Sequence, residues 1–199
     1  MTATRAEELT IREVIDQIVS KNDRIARFWS TAQGWAPLDA ARLLRKSRLD
    51  LQVSLARTLT LWVPPAIRPQ APDMDGRLIL GYANLGSLVE GTLKWFLSVF
   101  YDNYKADINA LRDKAGELKG PDAVMLEPLR VFFKRSVWVS DDSWDAWILR
   151  VQQRRNAIHS YKHRDIGTLA ELERDIRKYW DFVQDLDDRV PYPDEECRP

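Results

Sequence analysis

Ile11, Val14, Ile15, Ile18, Ile25, Phe28 and Trp29 recur at intervals of three and four residues, which lays one apolar stripe along a helix. The same spacing returns along the chain, and no segment of useful length shows the period of two that a half-buried strand requires. The expected class is therefore all-α, an antiparallel helical bundle of about six helices. With 199 residues, 45% of them apolar and 30% charged, the chain is long enough to bury one core and too apolar to remain disordered.

Proline and glycine punctuate the pattern. Pro37 stands at a helix start, and Leu44, Leu51, Leu55, Leu59 and Trp62 line one face of a second helix that Pro64 and Pro65 stop by residue 63. Residues 63–75 hold Pro64, Pro65, Pro69 and Pro72 and read as a loop inside a single domain over 1–190, because the first sixty residues alone would make a marginal core. The third helix, about 76–101, is apolar on nearly all sides and is expected at the centre, with Ala83, Gly86 and Ser87 as a small-residue patch for a close neighbour. A charged, weakly helical stretch over 106–118 ends at Gly120 and Pro121, and a short apolar helix follows over 125–137. A fifth helix spans about 142–161. Thr168 and Glu171 have the spacing of a capping box that opens the last helix, and residues 191–199 form a polar, acidic tail.

Several classes are set aside at this level. The single cysteine, Cys197, has no second thiol, so neither an intrachain disulfide nor a cysteine-based metal cluster is expected. Residues 1–12 carry Arg5, Glu7, Glu8 and Arg12 and do not read as a secretion signal, and the apolar stretch 78–89 is too short for a bilayer. A cytoplasmic location without membrane association is expected. The 30 basic and 30 acidic residues cancel, which removes any global argument for a polyanionic partner. Locally, Arg150, Arg154, Arg155, Lys162 and Arg164 occur without one acidic residue between them, whereas 185–196 is strongly acidic. A solvated helix face explains such a basic run equally well.

The fifth helix breaks its own rule. Its inward positions run through Trp144, Trp147, Ile148 and Val151, and the same spacing continues into Arg154 and Arg155. Guanidinium groups on an inward stripe must be paired, placed in a cleft or placed at an interface, since an unpaired buried charge costs several kcal/mol, in order of magnitude. At about 100° per residue, Arg155, Asn156 and His159 share one face, Arg154 lies one residue round, and Tyr161 returns near the azimuth of Arg154. Such a set suits phosphodiester cleavage without a metal or other cofactor. An imidazole can take a proton from a ribose 2′-hydroxyl or give one to the leaving oxygen, and arginine can stabilise the charged transition state. One helix offers one histidine here, so a second proton-transfer group is expected from elsewhere, as a symmetric dimer would supply.

The string RRNAIHSY over 154–161 resembles the signature of the HEPN superfamily, an arginine followed four to six residues later by a histidine, often with a polar residue after the arginine. The resemblance implies a small antiparallel helical bundle. It also implies a metal-independent endoribonuclease of toxin–antitoxin, abortive-infection or other phage-defence or stress systems, acting on RNA as a homodimer with one composite cleft. An antitoxin or another defence-system protein is the implied partner. By that resemblance Arg154 takes the arginine role and His159 the histidine role. The sequence departs from the pattern in that its Arg-Asn pair, Arg155-Asn156, leaves only three residues before His159. Tyr161 matches a further histidine-any-tyrosine pattern of HEPN toxins whose tyrosine is modified by a nucleotidyltransferase antitoxin. The motif covers eight of 199 residues, and many members of the superfamily are non-catalytic binding modules, so an interaction or RNA-binding module of the same fold stands as the alternative.

Other residues carry two readings each. Glu90 suits an acidic partner for the arginines or an i,i+4 pair with Lys94. His163 is a further acid/base candidate or an exposed side chain. Trp62, Trp95, Trp144, Trp147 and Trp180 fall on core positions, while Trp29, Trp35 and Trp138 lie near helix ends where they would suit a surface groove.

Overall fold

The structure, a computed structural model, describes residues 9–68, 70–138, 143–159, 161 and 163–193. Cys197, Lys162 and most of the acidic tail lie outside the described residues, as does the chain before Leu9. Regular structure among the described residues is helical, with a single isolated antiparallel bridge between Arg112 and Leu118. Eight α-helices follow in order: α1 Ile11–Trp29, α2 Leu38–Lys46, α3 Leu49–Thr58, α4 Met74–Val99, α5 Tyr101–Ala106, α6 Leu126–Ser136, α7 Ser143–Arg155 and α8 Leu169–Arg189.

Eight helices replace the expected six because two segments bend where no proline or glycine marks a break. The expected second helix is divided into α2 and α3, with a 3-10 turn over Leu59–Trp62 after them. Ser47 is extended (ψ 146°), its hydroxyl donates to the Leu44 carbonyl at 2.5 Å, and Arg48 chelates Asp50 at 2.8 and 2.7 Å. The bend turns two stripes inward, Ala40, Ala41 and Leu44 from α2 and Leu49, Val53 and Ala56 from α3. Phe100 likewise separates α4 from α5.

The stretch 107–119 is irregular rather than weakly helical. Asp113 Oδ1 accepts the backbone N–H groups of Ala115 and Glu117 at 2.8 and 2.9 Å, the local competition by which aspartate undoes a helix. The buried Tyr104 hydroxyl donates to the Lys119 carbonyl at 2.9 Å and accepts from the Leu111 N–H at 3.1 Å, which pins the loop to α5.

Helix α4 is buried on most of its circumference and packs against α2, α3, α6, α7 and α8. One apolar cluster joins residues from both sides of the proline-rich loop, from Val14 on α1 to Val190 after α8, and includes Val63 from the loop itself. The last helix starts where its sequence predicts. Thr168 Oγ1 accepts from the Glu171 N–H at 3.3 Å while Glu171 Oε2 accepts from the Thr168 N–H at 2.9 Å. No helix among the described residues is long and apolar enough to cross a membrane.

The small-residue patch on α4 receives α7. A Cβ at Gly86 would lie 2.6 Å from Arg155 Cδ, so the aliphatic stem of Arg155 lies flat on this glycine. Among the tryptophans, Trp29 and Trp138 are buried in the core rather than in a groove, while Trp35 is exposed.

Candidate functional site

Helix α7 ends at Arg155, six residues earlier than its spacing predicts, and a 3-10 turn over Asn156–His159 follows. The tighter winding changes where the last residues of the motif point. Trp147, Ile148 and Val151 are buried as expected, and the inward stripe continues through Arg154, which is 4% exposed, to Ala157. Tyr161 lies beyond the helical segments and is 98% exposed, so the periodic argument that placed it beside Arg154 does not hold.

The two arginines part company. Arg154 turns toward α4 and α8. Its guanidinium donates to the Tyr82 hydroxyl at 2.7 Å, to Glu171 at 2.7 Å and to Asp165 at 3.1 and 3.3 Å, and its ring-facing carbon lies 5.2 Å from the Tyr82 ring centre. Behind it sits Asp175, buried on α8, which accepts from Tyr82 Oη at 3.0 Å, Trp147 Nε1 at 3.1 Å and Arg150 Nη2 at 2.8 Å. Arg154 Nη1 approaches Asp175 Oδ2 at 3.5 Å. Burial opposes the charge on Arg154, yet the bonds to Glu171, Tyr82 and Asp165 hold its pKa above the ordinary arginine value. The bond from Arg154 holds Glu171 below the ordinary glutamate value, and for Asp165 the backbone N–H of Gly167 does most of the same work. Burial and the Asp175 charge push the Tyr82 phenol up.

This closed network ties the end of α7 to the start of α8. Gly167 takes a φ of +71°, and a Cβ there would lie 2.7 Å from Arg154 Cζ. Backbone conformation and the space required by the guanidinium therefore select glycine together.

Arg155 faces the other way, into an open groove of about 520 Å³ between α4, α6 and the end of α7. Glu90, Gln152, Asn156 and His159 line the same groove. Arg155 Nη1 donates to Glu90 Oε2 at 2.7 Å, and Lys94 meets the other oxygen of Glu90 at 2.8 Å. Both sequence readings of Glu90 are thus realised at once. Burial raises the pKa of Glu90, but the bonds from Lys94 and Arg155 outweigh it, and the net shift is downward.

His159 is exposed, and neither its side chain nor that of Asn156 has a partner among the described residues. Gln152 keeps a buried Oε1 that no donor among the described residues reaches, while Glu127 at the rim is held by Arg130 at 2.7 Å. Gln152 escapes the motif reading, yet it precedes Arg155 by three residues on the same helix, and that spacing would have found it. Arg155, Asn156, His159 and Glu90 are brought together; Arg154 and Tyr161 are not part of the groove. His163 is exposed on the loop after α7. Among the described residues, no three His, Cys, Asp or Glu side chains are arranged to hold a metal ion.

Among the described residues, the groove therefore combines a permanent cation, a solvent-facing imidazole and a carboxamide without a partner. Those groups can bind a phosphodiester, orient it and exchange a proton with it. Comparison with protein-family models, with curated proteins and with solved structures gives no match.

Proposed function

We propose that this chain is a HEPN-like, metal-independent endoribonuclease of a defence or stress response, with Arg155 rather than Arg154 as the groove arginine. The observation that carries this reading is the placement of His159 and Asn156, both without side-chain partners among the described residues, beside Arg155 in a solvent-open groove. In the reaction the ribose 2′-oxygen bonds to phosphorus and the P–O5′ bond breaks, giving a 2′,3′-cyclic phosphate and a 5′-hydroxyl. One proton leaves the 2′-hydroxyl and one is delivered to O5′. His159 handles one of these transfers, Arg155 stabilises the phosphorane-like charge, and Asn156 orients the phosphate. The second transfer calls for a second copy of His159, so the active form of the reading is a homodimer.

The test is incubation of the protein with RNA beside His159→Ala and Arg155→Ala. Loss of cleavage in both, with unchanged circular dichroism, is the expected result; equal cleavage by all three proteins rejects the site.

A second reading has its own support. Glu90 already occupies Arg155, and a phosphate must compete with that carboxylate. A non-catalytic interaction or RNA-binding module fits this pairing, with the groove closed by a partner protein or by an RNA that is held and not cut. Binding of RNA without cleavage, lost on Arg155→Ala, would select it.

A further inference from the structure

A pocket of about 360 Å³ lies between α7 and α8, and every residue that lines it is charged: Arg150 and Arg154 from α7, and Glu171, Arg174, Asp175 and Lys178 from α8. Its two carboxylates are already engaged. One oxygen of Glu171 accepts from Arg154 at 2.7 Å, and the other accepts from the Thr168 backbone N–H at 2.9 Å and hydroxyl at 3.0 Å. Asp175 is buried and accepts from Tyr82, Trp147 and Arg150. Arg150 and Arg154 balance these two carboxylates, so the charges of Arg174 and Lys178 remain unmatched in the lining. Arg174 is exposed and has no hydrogen-bond or ion-pair partner among the described residues. Lys178 Nζ lies 5.3 Å from the Trp144 ring centre and meets no carboxylate among the described residues. Arg150, with a side chain that is 46% exposed, donates to Asp175 through Nη2, which leaves most of the N–H donors of its guanidinium for another acceptor.

Helix α7 lines this pocket on one flank and the groove on the other, through Arg150 and Arg154 here and through Gln152 and Arg155 there. The side of α7 between them bears the exposed Ala146 and Gln153 and no carboxylate. The single acidic residue of the helix, Asp145, is buried with Arg130 and Lys134. A helix is about 10 Å across, so a short stretch of polyanion can lie over this side with one phosphate in the groove and a later one in the pocket. Concave surfaces lined by an excess of one charge focus the field on such a ligand.

We infer that the pocket between α7 and α8 is a second phosphate subsite, in which Arg150, Arg174 and Lys178 hold a backbone phosphate of the RNA strand that occupies the groove. The inference rests on the groove taking RNA, and it adds the course of the strand, across the exposed side of α7 toward α8. Contacts to backbone phosphates fix register and carry no base identity, so the subsite positions the strand whatever its sequence.

Binding of a fluorescein-labelled single-stranded oligouridine to the full chain over a salt series tests the subsite, with an Arg174→Ala, Lys178→Ala double variant beside the parent. Each phosphate contact on a single strand adds about 0.7 to the steepness of log affinity against log salt, so loss of two is expected to flatten the line by about 1.4. Affinity near physiological salt is expected to fall about tenfold, with unchanged circular dichroism. An Arg42→Ala, Arg45→Ala variant removes the same charge from α2 and is expected to leave the line unchanged, because exposed charges are screened beyond about 8 Å at physiological ionic strength. In RNA cleavage the Arg174→Ala, Lys178→Ala protein is expected to show a raised KM at constant kcat, the split of a strand-positioning contact. An unchanged salt line in that protein, or an equal loss in the α2 control, overturns the subsite, while cleavage by the parent keeps the groove reading. RNA bound through the subsite and cut by neither protein keeps the subsite and strikes the ribonuclease reading in favour of the binding module. Failure of the parent to bind RNA overturns the subsite and the groove reading together.

Discussion

Arg154 and Arg155 are adjacent in sequence and carry the same charge, yet they occupy opposite electrostatic settings. Arg154 is enclosed, with Tyr82, Asp165 and Glu171 taking its donors and Asp175 behind. Arg155 lies along Gly86 with its head in an open groove, held there by Glu90. A step of about 100° around a helix is enough to send one guanidinium into the core network and the other to solvent. A basic pair within a motif need not act as a unit. One member builds the corner between α7 and α8, and the other lines the open groove.

Stability and activity should separate along this division. The largest effect is expected for Arg154→Ala, which removes a buried cation from Tyr82 and Asp175. The cost is about 3 kcal/mol in urea unfolding, at the lower end for breaking a buried pair because Asp175 keeps Arg150. The gap between parent and variant should narrow in acid. Glu171 has a folded pKa below its ordinary value of 4.5, so its contribution is present above that pH and is lost as pH falls through the folded value. Unfolding curves at pH 7 and pH 3 check the sign.

Gly167→Ala is expected next, at about 2 kcal/mol, since the residue must adopt a positive φ and meets Arg154. A double variant with Arg154→Ala should recover part of that cost by removing the clash, leaving the backbone strain. On the open side, Arg155→Ala should cost about 1 kcal/mol or less, because Glu90 keeps Lys94 and both groups reach solvent. The smallest change in stability, within about 0.5 kcal/mol, is expected for His159→Ala, whose side chain contacts solvent and whose loss should show in cleavage instead. A destabilisation by His159→Ala comparable to that by Arg154→Ala would erase the contrast between the two faces.

The same contrast explains how far the sequence could be read. Apolar spacing revealed the helical class, the central position of α4 and the start of α8, since Thr168 and Glu171 cap that helix through contacts three residues apart. Helical periodicity also set both arginines on the inward stripe, and the four-residue spacing of Glu90 and Lys94 pointed to their pair. The break between α2 and α3 did not, because Ser47 and Arg48 carry no breaker chemistry and the bend serves two stripes that meet only in the packed core. The early end of α7 was hidden for a similar reason. Asn156 through Tyr161 keep helix-compatible spacing, yet a 3-10 turn over Asn156–His159 follows Arg155.

Local rules alone determined that this chain is helical, where its last helix is capped, and that charged side chains intrude on an inward stripe. Those rules act over three or four residues, the distance across which a single chain segment can feel itself. Which arginine is enclosed and which is open was decided by partners from 11 to 72 positions away, Asp165, Glu171, Tyr82 and Glu90. Coulombic and hydrogen-bonding energies depend on separation in space and on burial, and neither is defined until the helices have packed.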